Sequence, residues 1–377
     1  MSLEERPLPY DKVLSILSKR LRRDKSFRSG KILGSMCTNP HRLAVQIYQR
    51  YMDRNLGDPG LHPETVKLEE EAVKMMGSLL SNPHPYGHIV SGGTEANILA
   101  LWAARNLARE RKEVILPINS HFSFDRAADL LGLKLVKIRL RDHVVDVDEV
   151  KRRITKKTLM LVGIAGSTDL GLVDPIVELS ELAEAHSLPL HVDASFGGFV
   201  LPFLKETGHR FDFRLKGVWS ITVDPHKMGM APIPAGGILF RHPEALKAIG
   251  LQIDYLSGGP SFQSTLLATR PGASAIAVWA LLKLLGRAGF RRIVKRCIDL
   301  TQYLYDEVSR IEKLRAVTKP VMNILGITSK ELPKLAEGLR MKGWAISLYP
   351  THIRVVVMPH VRRRHIERFL EDLRGLT

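Results

Sequence analysis

Residues 220–240 read SITVDPHKMGMAPIPAGGILF, and the change of character inside this stretch decides the fold. An apolar run, extended back to VWSITVD at 218–224, ends in Asp-Pro-His-Lys and then turns small and Gly/Pro-rich. That is the signature of a buried strand meeting a loop, with Lys227 at the junction. Working outward, the same kind of apolar strand recurs at 113–118, 133–140, 159–165 and 188–193, and helical patterns fill 94–110 and 174–187. Strands separated by helices predict an α/β fold with a mostly parallel sheet covered on both faces. Ligands of such sheets bind at the carboxyl ends of the strands.

Beyond GASAIAVWALLKLLGRAG (272–289) the pattern changes. A helix over 290–313 leads to the strand-like VMNILGIT, the helix ELPKLAEGLRMK, the strands WAISLYP and HIRVVVMP, and a last helix from 360. These predict a small C-terminal α+β domain over 273–377, following a large domain over 51–272. Chain ends often lie together, so the segment 1–50 is expected to pack with the small domain or with a partner subunit.

The 377 residues suit one large and one small domain. Hydrophobic residues make up 45% and charged residues 25%, an ordinary globular composition. No run approaches the roughly 18 uninterrupted apolar residues of a membrane span. The first residues are charged throughout and lack the apolar core of a signal peptide. Cys37 and Cys297 make neither a metal spacing nor a disulfide framework; no metal is expected, and a reducing, cytoplasmic home is. The net charge is +17, and its excess sits in residues 1–31 and 283–377. Basic ends raise the question of a nucleic-acid partner. No basic run is long and aromatics are not interleaved with it, so a solvated or ion-paired face is the expectation, with neither nucleic acid nor membrane as partner.

Four strand ends carry unusual residues. In IVSGGTEAN (89–97), Ser91, Gly92, Gly93 and Thr94 open a helix, and backbone N–H groups there suit a phosphate. Neither a dinucleotide fingerprint nor a Walker loop is present. His121 follows the strand at 113–118. Asp193 ends an apolar strand, with His191 two residues earlier on the same face. Lys227 is the fourth. Buried without a carboxylate, its amine would lose its charge and become nucleophilic. Each residue alone has a plain structural explanation, but together they fit pyridoxal 5'-phosphate. That cofactor needs a phosphate cup, an acid facing its ring nitrogen, a group against the ring face and a lysine for its aldehyde. Thr168, in GSTDLG, is placed to meet the ring's phenolic oxygen, and His226 to touch phosphate or substrate.

SGGTEAN, HVDASFGGF and DPHKMG resemble the group II pyridoxal-phosphate decarboxylases, of the aspartate aminotransferase fold type (fold type I, the PLP-dependent transferase fold). GKILGSMCTNPH, YMDRNLGDPGLHPET, MGMAPIPAGG, TRPGAS and IRVVVMPH are similar to the archaeal L-aspartate/L-tyrosine decarboxylases, from about Ser29 to the chain end. The resemblance implies that Lys227 bonds the cofactor aldehyde, Asp193 faces the pyridine nitrogen, His121 stacks on the ring, and Gly93 and Thr94 hold phosphate. It also implies that Arg354 lies near the substrate, where a planar guanidinium suits a carboxylate. Ser195, Ser167 and Ala268 depart from the family pattern by small swaps, which bear on pocket shape.

The expected reaction is L-aspartate to β-alanine and CO2, which the resemblance ties to coenzyme A synthesis. Tyr255, His121 and Lys227 are the candidates to reprotonate the α-carbon. Tyrosine or glutamate decarboxylation is the near alternative, and a tRNA-dependent enzyme of the same fold the remote one. The resemblance implies a homodimer.

Overall fold

Residues 218–223 and 236–240 form two neighbouring strands joined by the Lys227 loop. In the computed structural model, which describes residues 3, 5–204 and 208–377, these strands lie inside the larger of two main sheets. Residues 1, 2 and 4 of the expected N-terminal segment lie outside the described residues.

Helices α1 (Tyr10–Leu21), α2 (Arg42–Arg50) and α3 (Pro63–Leu79) precede β1 (Tyr86–Val90). Then come α4 (Gly93–Leu107), β2 (Glu113–Pro117), α5 (Ser123–Leu131) and β3 (Lys134–Ile138). A two-residue pair, β4 (Leu140–Arg141) and β5 (Val144–Val145), leads into α6 (Val147–Arg153). The run β6 (Thr158–Ile164), α7 (Ile176–Ala185), β7 (Leu190–Asp193), β8 (Val218–Val223) and β9 (Gly236–Phe240) completes the large sheet. Its order is β1-β9-β8-β7-β6-β2-β3. Strands β2, β3, β6, β7 and β8 run parallel, and β9 lies antiparallel between β1 and β8. All residues of β6 and β7 are buried, the condition of a parallel strand covered on both faces. Because β1 points the same way as β8, the segments after β1, β2, β6, β7 and β8 emerge on one edge.

Beyond the large sheet, α8 (Glu244–Ile249) and the hairpin β10 (Leu251–Ile253) and β11 (Ser261–Gln263) lead to α9 (Gly272–Ser309). The helix expected over 290–313 begins earlier: helical backbone runs from Gly272 to Ser309 as two stretches joined at a kink, where Gly286 (φ 50°) is non-helical. A positive φ is costly for residues other than glycine, so the helix changes direction there. The apolar stretch of α9 is long enough to cross a membrane by length and composition, but 61% of it is buried inside the fold, which accounts for that character.

The small domain is the sheet β12-β13-β15-β14 covered by helices. It comprises β12 (Leu314–Ala316), β13 (Ile324–Ser329), α10 (Leu332–Met341), β14 (Ser347–Leu348), β15 (Ile353–Val356) and α11 (Arg363–Arg374). Ala275, Leu281, Val294 and Cys297 of α9 pack in the large core, whereas Leu300, Leu304 and Val308 pack in the small one. The core therefore changes hands inside α9 rather than at the expected 272/273 boundary. The N-terminal segment also divides. Leu33 is fully buried in the small-domain core, and Ile32 pairs with Ala345. Ala44 of α2 joins the large core, and α1 buries no residue.

Candidate active site

Five segments meet at one cavity of about 410 Å³ on the carboxyl edge of the large sheet, lined by Ser91, Gly92, Gly93, Thr94, His121, Thr168, Asp193, His226 and Lys227, among others. The segment after β1 brings the first turn of α4, whose leading N–H groups have no partner within the helix. Gly92 and Gly93 are needed for closeness. A Cβ on Gly93 would fall 2.6 Å from Ser195 Oγ and 2.9 Å from Asp224 Oδ2. Ser91 differs from expectation, because its N–H donates to Glu95 Oε2 at 2.8 Å. The amides of the next turn residues are the ones left for an anion.

Lys227 needs a correction. It is not a lysine buried without a carboxylate: its Nζ sits 2.9 Å from Oδ2 of the buried Asp224. Burial pulls the amine's pKa down, but Asp224 and Asp193 outweigh burial and hold it above the ordinary lysine value. The ammonium form is therefore favoured. Asp224 went unnoticed in the sequence because Asp-Pro reads as the start of a turn. Its other oxygen, Oδ1, is buried without a partner among the described residues.

Asp193 ends β7 between two parallel neighbours and is buried where it lines the cavity. Its Oδ1 accepts the Ser195 N–H at 3.0 Å, and its Oδ2 accepts from Asn97 Nδ2 at 3.0 Å. Burial pushes the carboxyl pKa up, yet Lys227 and the Ser195 hydrogen bonds win and hold it below its usual range. His191 lies in the same buried layer, bonded to Ser220 Oγ at 2.8 Å and Asn97 Oδ1 at 3.0 Å. Burial lowers its pKa to about 4, so it is neutral. His121 faces the cavity with Nδ1 3.0 Å from Ser123 Oγ. Burial lowers its pKa too, against the pull of Asp193. Asn97 escaped the sequence reading, though a polar residue in the otherwise apolar run ANILALWAA was a signal.

Two expected residues do not line this cavity within the chain. Tyr255 is 86% exposed in the loop between β10 and β11 and does not line the cavity of its own chain. That hairpin stands outside the large sheet, so nothing packs the ring inward. Arg354, on β15, is buried just behind the wall rather than lining it. Its guanidinium donates to the carbonyl oxygens of Thr168 and Gly34, each at 2.6 Å, and to Tyr349 Oη and Ser347 Oγ. All four acceptors are neutral, and its Nε has no partner among the described residues. His226 donates from Nδ1 to the Ala235 carbonyl at 2.7 Å, which leaves Nε2 as an acceptor.

This donor set fits pyridoxal phosphate: a glycine cradle that a side chain would fill, a buried carboxylate, an imidazole and an amine share one cavity. Residues 43–327 match the family described as the pyridoxal-dependent decarboxylase conserved domain. A Pyrococcus horikoshii protein named L-aspartate/L-glutamate decarboxylase is 54% identical over 372 residues, 97% of each chain. A Thermococcus kodakarensis protein named L-aspartate decarboxylase is 52% identical, over 99% of this chain and 98% of that one. A solved Burkholderia pseudomallei structure named sphingosine-1-phosphate lyase superposes with a TM-score of 0.92 at 29% identity, covering all of this chain and 92% of the other. The chain belongs to the pyridoxal-dependent decarboxylases.

Proposed function

We propose that the chain removes the α-carboxyl group of L-aspartate, releasing CO2 and β-alanine. The observation that carries this reading is the convergence of Lys227, Asp193, His121 and the Gly92–Thr94 turn on one cavity. Bound pyridoxal phosphate supplies an electron sink for the pair left when the carboxylate departs. In this reading Gly93 and Thr94 hold the phosphate, with His226 beside it, and Thr168 meets the phenolic oxygen. Asp193, ionised at neutral pH, keeps a proton on the pyridine nitrogen because opposite charges in a dry site favour each other. Lys227 would hold the cofactor at its aldehyde. To become a nucleophile its amine must first give up a proton, and Asp224 at 2.9 Å governs how readily. Of the three residues considered for returning a proton to the α-carbon, Lys227 and His121 line the cavity.

The preference for aspartate draws on two observations. Both relatives described above carry aspartate in their names. Arg354 is a buried cation whose hydrogen-bond acceptors are all neutral, next to the Thr168 wall. An anionic side-chain carboxylate nearby would be stabilised by it. One relative's name adds glutamate, and one extra methylene is discriminated by only about 1–3 kcal/mol, so weak glutamate turnover accompanies this reading. We further infer a homodimer in the cytoplasm. Leu14, Leu17 and Leu21 of α1 are exposed along one helical side, and a second copy would cover them. Both cysteines are free thiols.

The test is purified holoenzyme supplied with aspartate labelled at C1 or at C4. The reading requires labelled CO2 from C1 alone, with β-alanine as product. Label released from C4 with alanine as product, or no CO2, overturns it.

A further inference from the structure

Asn97 lies one turn inside α4, in the buried layer beneath the cavity. A primary amide has two hydrogens to donate and two lone pairs to fill, and here all four are used. Asn97 Nδ2 donates to Asp193 Oδ2 and to Ser123 Oγ, each at 3.0 Å. Its Oδ1 accepts from Thr222 Oγ1 at 2.7 Å and from His191 Nε2 at 3.0 Å. The reverse orientation would aim the amide oxygen at the Asp193 carboxylate, so the neighbours fix which way Asn97 points. His191 is neutral, and its Nδ1 is free to accept from Ser220 Oγ at 2.8 Å, which leaves its proton on the Nε2 that faces Asn97.

The consequence runs through Ser123, which is fully buried. Its oxygen accepts from Asn97, and because the Ser123 backbone N–H marks His121 Nδ1 as an acceptor, the hydroxyl hydrogen turns to that nitrogen at 3.0 Å. The Ser123 backbone N–H reaches the same nitrogen at 3.3 Å. A ring nitrogen that receives two donors holds no proton of its own, and neutral imidazole then carries its single hydrogen on Nε2.

We propose that Asn97 is the positioning residue of this site: one amide holds the Asp193 carboxylate and, through the Ser123 hydroxyl, fixes His121 in the tautomer whose N–H is on Nε2 and serves the cavity. This rests on the proposed reading of Asp193 and His121 as cofactor-facing groups, but the tautomer itself does not depend on turnover. Because α4 also begins at the phosphate cup, a single helix sets three features of the site, within about 6 Å of axial rise from Gly93 to Asn97.

The experiment is long-range 1H–15N correlation on holoenzyme labelled with 15N-histidine at pH 7.5, with His121 assigned by its loss in His121→Gln. In the parent, His121 is expected as a single Nε2–H tautomer. A proton on Nδ1, or a doubly protonated ring, overturns the proposal whether or not aspartate is the substrate. In Asn97→Ala the Ser123 hydroxyl is released, and the His121 signals should move toward a mixture of tautomers. Its kcat should fall about tenfold or more, with KM changed less. Retention of the single Nε2–H tautomer in a folded Asn97→Ala protein removes Asn97 from the role. If that variant does not fold, the parent spectrum decides. A correct tautomer in a protein that releases no CO2 from aspartate would overturn the substrate reading and leave this one standing.

Discussion

At the scale of single residues, the site is a set of charges that hold one another ionised. Lys227 stays an ammonium because two carboxylates offset its burial, and Asp193 stays a carboxylate for the complementary reason. In cofactor-stripped protein, labelling of the Lys227 amine should have a pH midpoint above that of an ordinary lysine. The sign follows from the partner: a favoured charged form gives up its proton only at higher pH. Asp224→Asn should move the midpoint down, and an unmoved midpoint would mean that Asp224 does not control the amine. Asp193→Ala should lower kcat by roughly ten- to a hundredfold, since a hydrogen bond to a buried charge is worth about 1.5–3 kcal/mol and each tenfold in rate about 1.4 kcal/mol. Asp193→Glu should lose less, and equal loss would reduce Asp193 to a structural cap. Lys227 and Asp193 were legible in the sequence because a charge at the end of an apolar strand has few plain explanations. Asp224 and Asn97 were not, because a turn-forming Asp-Pro and a polar residue on a helix look ordinary until the strands bring them together.

At the scale of elements, the glycine turn before α4 and the N-terminal strand are where backbone contacts decide the outcome. Gly93→Ala puts a methyl group 2.6 Å from Ser195 Oγ, so cofactor affinity should drop at least about tenfold by titration, on the order of 1.4 kcal/mol. The stripped protein should melt within a few degrees of the parent, and unchanged affinity would mean that this turn is not the phosphate cup. Leu33, fully buried in the small-domain core, should lose about 2–5 kcal/mol on conversion to Ala, read as a shift in urea midpoint. The strands and helices of the large sheet could be read from the sequence because their apolar periods are long and regular. The division of residues 1–50 between the two cores could not, because it is set by which core each face meets, a tertiary fact without a local pattern. That Tyr255 does not line the cavity of its own chain was not legible for a related reason, since a loop sequence does not say which way its tip points.

At the scale of the whole molecule, the charge of +17 and the substrate preference are the two matters to test. In the small domain, Arg310 and Arg374 pair with Glu307, Lys342 with Asp372 and Arg363 with Glu367, so part of the excess is internally balanced. Titration with tRNA at roughly physiological salt should show weak binding that falls steeply as salt rises. Tight binding at high salt, or turnover stimulated by tRNA, would favour a tRNA-dependent enzyme instead. The central claim is that this pyridoxal-dependent decarboxylase acts on aspartate. It is tested most directly by kcat/KM for aspartate, glutamate and tyrosine on one preparation, for the parent and for Arg354→Ala. The account predicts aspartate first, glutamate weaker and tyrosine last, with Arg354→Ala lowering the aspartate value far more than the tyrosine value. Tyrosine as the best substrate, or an equal effect of Arg354→Ala on both, would contradict it.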